Sequence, residues 1–211
     1  SGFPLIRHYE LGQYIGETIE HLDKKTVLIA SGDLSHRLKE DGPYGYQKEG
    51  PEYDTRIMDV MGRGAFEELL DFSQDFCENA GECGHRAFTI MAGALDGMAV
   101  VAERLSYEGP FGVGYGVCAY VPCGQDSERK FKAKFEAEEK ARILEQRGQE
   151  DAYVQLARQT IEEHVRTGRK IQVPKGLPWE LYSQRAGAFV TIKEDGQLGG
   201  GNGTLQAVRG S

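Results

Sequence analysis

The sequence predicts a layered α/β fold, and two features of its pattern favour this class. Segments with apolar residues at helical spacing alternate with short apolar runs through residues 1–125, which is typical of helices that cover a sheet. The apolar runs are bounded by glycine, proline or charged residues, as strands usually are. A length of 211 residues allows one large domain or two small ones.

The first predicted elements are a helix, a strand and a second helix. Tyr9–Leu22 carries apolar residues at three- and four-residue intervals and predicts the first helix. Val27–Ala30 is a continuous apolar run between two lysines and a glycine, and it predicts a short buried strand. Pro51 suits the first turn of a helix that reaches Met61.

A long helix and two strands are predicted next. The helix begins near His85, and its apolar face is formed by Phe88, Met91, Leu95, Met98, Ala102 and Leu105. The two strands are Leu105–Tyr107 and Gly114–Val121, and the second shows apolar alternation.

The remaining elements predict a linker and a second domain. Ser127–Arg147 alternates basic residues with glutamates, which indicates a solvated helix with i,i+4 ion pairs. Tyr153–Thr167 predicts a helix, and Gly187–Ile192 and Leu205–Val208 predict two strands. The stretch Gly199–Gly203 lacks the Lys-Ser/Thr pair and following helix of a phosphate-binding loop, so we expect a flexible turn or a disordered end. We therefore expect domains at 1–125 and 151–211, joined by a charged helix at 126–150.

Composition excludes several classes of function. The net charge is −8 and the isoelectric point is near 5.2, which argues against a nucleic-acid partner. No apolar run approaches membrane-spanning length, so we expect no membrane partner. The four cysteines do not form a dense framework, and we expect reduced thiols in a cytoplasmic protein.

A first cluster of reactive side chains follows the Val27–Ala30 run. Asp33, Ser35 and His36 lie within four residues, directly beyond the carboxyl end of the predicted strand. Ligand sites of open α/β sheets lie at such strand ends, so Asp33 and His36 are candidate functional residues. The alternative is a plain loop in which Asp33 and Ser35 cap the backbone and His36 is solvated.

A second cluster opens the predicted long helix. Glu82, Cys83 and His85 lie at or before the helix N-terminus, where exposed amide groups and the helix dipole favour anions. A carboxylate, a thiolate and an imidazole together can ligate a first-row transition metal. The alternative is structural, with Cys83 packed as a small buried residue and Glu82 favouring the helix start.

Both clusters resemble motifs of a known family. The carrying segments are Ser31-Gly32-Asp33-Leu34-Ser35-His36, Gly50-Pro51-Glu52-Tyr53-Asp54 and Glu82-Cys83-Gly84-His85-Arg86, which are similar to the C-terminal half of the Memo/LigB-like family that includes class III extradiol dioxygenases. A second set resembles the start of an AMMECR-family domain, namely Tyr153–Arg158, Val173-Pro174, Leu177-Pro178 and Arg185–Val190. In this order the two resemble the AmmeMemoRadiSam system protein A family. The resemblance implies a layered α/β fold followed by a partial α+β domain.

The resemblance also implies roles for individual residues. His36 matches the active-site histidine that acts as an acid/base, and Asp33 matches an active-site aspartate. Cys83 matches an active-site cysteine close to where the dioxygenases place a metal-binding glutamate, which leaves Glu82 as a competing metal ligand. His85 has no secure counterpart, because its order with Arg86 is the reverse of the family's.

Parts of the family pattern are missing from this sequence. No His-Pro pair occurs, although the family carries metal-binding histidines upstream, one of them in a His-Pro-Pro segment. Leu198–Gly203 replaces the Leu-Arg-Gly-Cys-Ile-Gly segment of the AMMECR family. We therefore expect an internal piece of a longer protein, and we expect these residues alone to retain no catalytic iron.

Two functions follow from the resemblance. The first is a metal-dependent oxidoreductase of the extradiol type, with Fe(II) as cofactor and a small aromatic or catechol-like substrate. The second is a metal- or ligand-binding component without dioxygenase activity, which cooperates with a radical S-adenosylmethionine protein. Cys83 favours the second function, because a thiolate prefers softer metals such as copper.

Overall fold

The computed structural model describes residues 2–184, 186–194 and 197–204. The fold is mixed α/β, as the sequence predicts, and the chain divides into two compact units at 1–139 and 140–211. The domain boundaries expected from the sequence remain a prediction. No helix of the described residues has both the length and the apolar character required to cross a membrane.

The first unit places helices beside one antiparallel hairpin. Its helices and strands are α1 (Leu5–His21), α2 (Glu49–Arg63), α3 (Gln74–Ala80), α4 (His85–Ala94), β1 (Met98–Glu108), β2 (Tyr115–Gln125) and the first part of α5 (Phe131–Gly148). Short 3₁₀ turns lie at Phe66–Asp71 and Ser127–Arg129. The strands pair from Met98 with Gln125 to Glu108 with Tyr115.

The core of this unit is centred on α2 and α4. One face of α2 is fully buried through Tyr53, Ile57 and Val60. Helices α1 and α4 pack backbone against backbone, because a Cβ added at Gly12 would lie 2.0 Å from the Ile90 carbonyl oxygen. Glycine is required there for the two helices to approach so closely.

The predicted long helix is wrong beyond residue 94. Helix α4 ends at Ala94, and Gly97 then adopts a left-handed φ of 72° that leads into β1. Met98, Ala102 and Leu105 continue the apolar spacing of the helix, but they lie in a strand. Periodicity alone missed this change because the turn that ends the helix spans only residues 95–97 and the apolar spacing continues through it.

The predicted buried strand at Val27–Ala30 is also wrong as a sheet element of the described residues. The segment is not assigned to a strand, and Val27 and Ile29 are 84% and 80% exposed. An apolar run indicates a buried strand only where neighbouring strands or helices cover both of its faces. In the described part of the chain the β1–β2 hairpin pairs only with itself, so it does not pair with this segment.

The second unit contains the rest of α5, helices α6 (Ala152–Thr167) and α7 (Glu180–Ser183), and a hairpin of β3 (Phe189–Glu194) and β4 (Gln197–Gly203). Asp151 caps α6, because its carboxylate accepts the N–H groups of Tyr153 and Val154 at 2.9 Å. The expectation of a turn or disorder at Gly199–Gly203 is wrong, since Gly200, Gly201 and Gly203 pair with β3. The strand predicted at Leu205–Val208 lies outside the described residues.

Candidate functional site

The site is formed where two loops approach each other closely. One loop follows the Val27–Ala30 run and carries Asp33 and His36, and the other carries Cys83 before α4. The contact is between glycines, because a Cβ added at Gly32 would lie 2.3 Å from the Cα of Gly84. The absence of side chains at both positions brings Cys83 beside Asp33.

The structure brings together three of the four predicted site residues. Asp33, His36 and Cys83 each offer one ligand atom, and these atoms all lie within 4.8 Å of one another. The Asp33 N–H donates to the Cys83 Sγ at 3.2 Å. Asp33 and Cys83 are accessible at the surface, whereas His36 is mostly covered.

The His36 ring is fixed in place with one nitrogen left without a partner. The ring stacks on Tyr44, with centroids 5.1 Å apart. Its Nε2 is buried, and no described residue hydrogen bonds to it. The nearest carboxylate oxygen of Asp33 is 3.5 Å away, which is too long for a well-formed hydrogen bond. An orphaned nitrogen beside a carboxylate and a thiol fits a transition-metal or substrate site.

A buried carboxylate supports the loop from behind. Asp54 is fully buried, and it accepts the Ser35 N–H at 2.7 Å and the Tyr107 hydroxyl at 2.8 Å. Burial raises the pKa of Asp54, although the two hydrogen bonds and the nearby His36 oppose this effect. The Ser35 hydroxyl in turn donates to the Ala80 carbonyl at 2.8 Å, which ties the loop to α3.

Glu82 lies apart from this group of ligand atoms. Its carboxylate accepts the His85 N–H at 2.6 Å, at the start of α4. Burial raises the pKa of Glu82, and this backbone hydrogen bond opposes the rise. The carboxylate therefore occupies the helix-start position of the structural alternative, and its role as a metal ligand remains a prediction.

His85 is a core residue in this structure. The ring is fully buried, with Nδ1 3.0 Å from the Tyr53 hydroxyl and Nε2 2.9 Å from the Leu69 carbonyl oxygen. Because a carbonyl can only accept, Nε2 carries the proton and Nδ1 accepts from Tyr53. Burial lowers the pKa of His85 to about 4, so the ring is neutral at physiological pH.

Sequence reasoning missed the supporting role of Asp54 and Tyr107. Asp54 ends the Gly50–Asp54 segment, which carries the family resemblance, but its spacing gave no sign of contact with Ser35. Tyr107 comes from β1, far along the chain, and no local signal connects it to the site. Tyr44 lies in the loop before α2, and its ring stacks on His36.

Comparison with known proteins decides the family. Residues 2–118 match the profile of the catalytic LigB subunit of aromatic ring-opening dioxygenase, which is more than half of the chain. The chain belongs to the LigB family. Residues 154–210 match the AMMECR1 family, so the LigB-family region is followed by an AMMECR1-like region.

Individual relatives cover the chain to different extents. A protein of Clostridium acetobutylicum is 38% identical over 204 residues, which cover 96% of this chain and 43% of that protein. The 2-aminophenol 1,6-dioxygenase beta subunit of a Pseudomonas species is 32% identical over 117 residues, or 51% of this chain and 38% of the subunit. A Thermotoga maritima protein is 48% identical over 56 residues, or 26% of this chain and 32% of that protein. The chain thus spans less than half the length of each of these relatives.

Proposed function

We propose that the LigB-family unit contributes one side of a transition-metal site in an oxidoreductase that acts on small aromatic or catechol-like substrates. The observation that carries this proposal is the convergence of Asp33, His36 and Cys83, with the buried His36 Nε2 lacking a hydrogen-bond partner among the described residues. The name of the Pseudomonas relative, a 2-aminophenol 1,6-dioxygenase beta subunit, supports an aromatic substrate.

We assign the metal to Cys83 and Asp33 rather than to Glu82. The Glu82 carboxylate is already engaged with the His85 N–H, whereas the Cys83 thiol and the Asp33 carboxylate face one another at an accessible edge. A bound ion would supply a Lewis-acid and redox centre to a coordinating substrate. Iron(II) is the cofactor of this proposal, and the sulfur donor also suits a softer metal such as copper.

We assign proton transfer to His36. Its Nε2 lies among the ligand atoms without a hydrogen-bond partner in the described residues, and stacking on Tyr44 holds the ring in that orientation. Tyr44 is 63% exposed, so part of its surface remains open beside the site. A planar aromatic substrate can pack on that surface and reach the imidazole.

A second function is supported by the AMMECR1-like region. The similarity to the Clostridium relative extends over 96% of this chain and so runs through both the LigB region and the AMMECR1-like region. On this proposal the chain is a metal- or ligand-binding component of an AmmeMemoRadiSam system and has no dioxygenase activity. A purified radical S-adenosylmethionine protein from the same organism should then co-sediment with the chain, and catechol or 2-aminophenol should cause no oxygen consumption.

Anaerobic titration with cobalt(II) tests the metal assignment on the 211-residue chain. We expect reversible binding with a thiolate-to-cobalt absorption band, and we expect iron(II) to be lost on desalting because few protein ligands are present. Cys83→Ser should remove the band. Cys123→Ser is the matched control, since Cys123 is also free and exposed but lies outside the ligand group. A Cys83→Ser protein with an unchanged band would contradict the assignment.

A further inference from the structure

The extended segment at residues 26–32 presents a backbone without hydrogen-bond partners. Within the described part of the chain, no residue donates to or accepts from the main-chain groups of these seven positions. Val27 and Ile29 are apolar and almost fully exposed. An apolar edge with unpaired N–H and C=O groups is a ready template for another strand.

A deep apolar groove lies beside this segment. Its volume is about 720 Å³, and it separates residues 26–32 from the strand β2. Helices α1, α2 and α4 form its floor with side chains that include Ile19, Ile57 and Met91. The apolar side chains that line such a groove are exposed to water, whereas a stable fold normally covers surface of this kind.

The two borders of the groove meet at one end only. The Leu34 N–H donates to the Gly114 carbonyl at 2.9 Å, and the Gly114 N–H donates to the Ser35 carbonyl at 2.7 Å. Beyond this corner, residues 26–32, 116–120 and 122 line the groove, and the described residues show no backbone hydrogen bond across it. One edge of β2 pairs with β1, so its other edge and the extended segment both border the gap.

We propose that the groove receives an apolar β-strand from LigB-family polypeptide that residues 1–211 do not include. This occupant is favoured because the relatives contain further polypeptide beyond the part that matches this chain. The Clostridium relative matches 96% of this chain with only 43% of its own length, and the Pseudomonas subunit matches with 38% of its own. Main-chain pairing with residues 26–32 would provide affinity, and apolar side chains at alternate positions would fill the groove. Family membership and the groove favour this occupant independently of the metal assignment.

Peptides tiled across the unmatched part of the Clostridium relative test the proposal. Binding to the 211-residue chain is followed by fluorescence anisotropy, and amide exchange locates the bound surface. We expect an apolar peptide to bind and to slow exchange in residues 26–32. If no peptide protects these residues, or if protection falls elsewhere, the proposal is wrong.

Substitution within the groove edge provides the control. Ile29→Asp places a charge on the exposed edge without disturbing the core, and it should weaken peptide binding by at least about tenfold. Val101→Asp is the matched control, because Val101 is a 60% exposed apolar residue on β1 and does not line the groove. Equal loss in both variants would refute the assignment. If sedimentation instead shows a dimer that Ile29→Asp dissociates, a second copy occupies the groove and the proposed occupant is wrong.

Discussion

Replacing Gly32 by alanine tests how the site is assembled. The added Cβ would lie 2.3 Å from the Gly84 Cα, 2.9 Å from the Gly84 nitrogen and 3.1 Å from the Cys83 carbonyl oxygen. All three atoms are backbone atoms, so no side-chain rotation can relieve the contact. The loop that carries Asp33 and the loop that carries Cys83 must therefore move apart.

The size of the effect follows from these distances. Carbon atoms in contact are normally about 3.5–4.0 Å apart, so the loops must separate by more than about 1 Å. The hydrogen bond from the Asp33 N–H to the Cys83 Sγ, now 3.2 Å, would then be broken. Forcing an extra methyl into a packed site typically costs about 1–3 kcal/mol in the free energy of unfolding. We expect Gly32→Ala to lose stability within this range and to bind cobalt(II) more weakly.

The assay must detect unfolding of the first unit, which contains Gly32. The only tryptophan, Trp179, lies in the second unit, so its emission does not follow this transition. Urea unfolding followed by tyrosine near-ultraviolet circular dichroism is suitable, because Tyr9 and Tyr53 are buried in the first unit. The cobalt titration is then repeated on the folded variant.

Gly62→Ala is the matched control for this experiment. Gly62 is a helical glycine of α2, and a Cβ there meets the Arg104 Cβ at an ordinary 3.4 Å. Alanine in a helix is favoured over glycine by about 1 kcal/mol, so this variant should be as stable as the parent or more stable. If Gly32→Ala matches Gly62→Ala in stability and in cobalt binding, the close approach of the two loops does not assemble the site.

Three further predictions address the residues around the site. His36→Ala should keep cobalt(II) binding but reduce any ring-cleavage rate by about 10²–10⁴-fold, because an acid/base group acts on the substrate rather than on the metal. Loss of the cobalt absorption band would instead show that His36 is a ligand. Asp54→Asn leaves either the Ser35 N–H or the Tyr107 hydroxyl without its acceptor, so the free energy of unfolding in urea should fall by about 1–3 kcal/mol. The exposed Asp59→Asn is the control and should change it little, so equal losses in the two variants would contradict the supporting role of Asp54. The pKa of His85 is about 4 in the folded state and near 6.5 in the unfolded state, so the unfolded state binds the proton first as the pH falls. The free energy of unfolding should therefore decrease by roughly 3 kcal/mol between these two pH values. A His85→Gln variant with the same pH dependence would refute this.

Local pattern was enough to predict several helices and the positions of the reactive side chains. Helix α6 follows from apolar residues three and four apart, because both the spacing and the hydrogen bonds of a helix are local. The motif at Asp33 and His36 was visible because the side chains lie close together along the chain. These two residues are close both along the sequence and in the folded structure.

Strand pairing and burial were decided by tertiary structure. The run at Val27–Ala30 has the composition of a buried strand but is exposed, since burial depends on what lies beside it rather than on its own residues. The apolar spacing that continues past Ala94 belongs to a hairpin, because one left-handed glycine changes the backbone and leaves the spacing unchanged.

For the site residues as well, the sequence determined some features and the tertiary structure determined others. The sequence alone determined that two carboxylates, a thiol and two imidazoles lie in two loop motifs, and it left Glu82 and Cys83 as competing ligands. The tertiary structure shows different contacts for these two neighbours: the Cys83 Sγ accepts the Asp33 N–H where Gly32 meets Gly84, while the Glu82 carboxylate accepts the His85 N–H at the start of α4. Which of the two binds a metal remains a prediction. It also buried His85 between Tyr53 and the Leu69 carbonyl. Side-chain direction depends on contacts between residues some fifty positions apart, and no local pattern records such contacts.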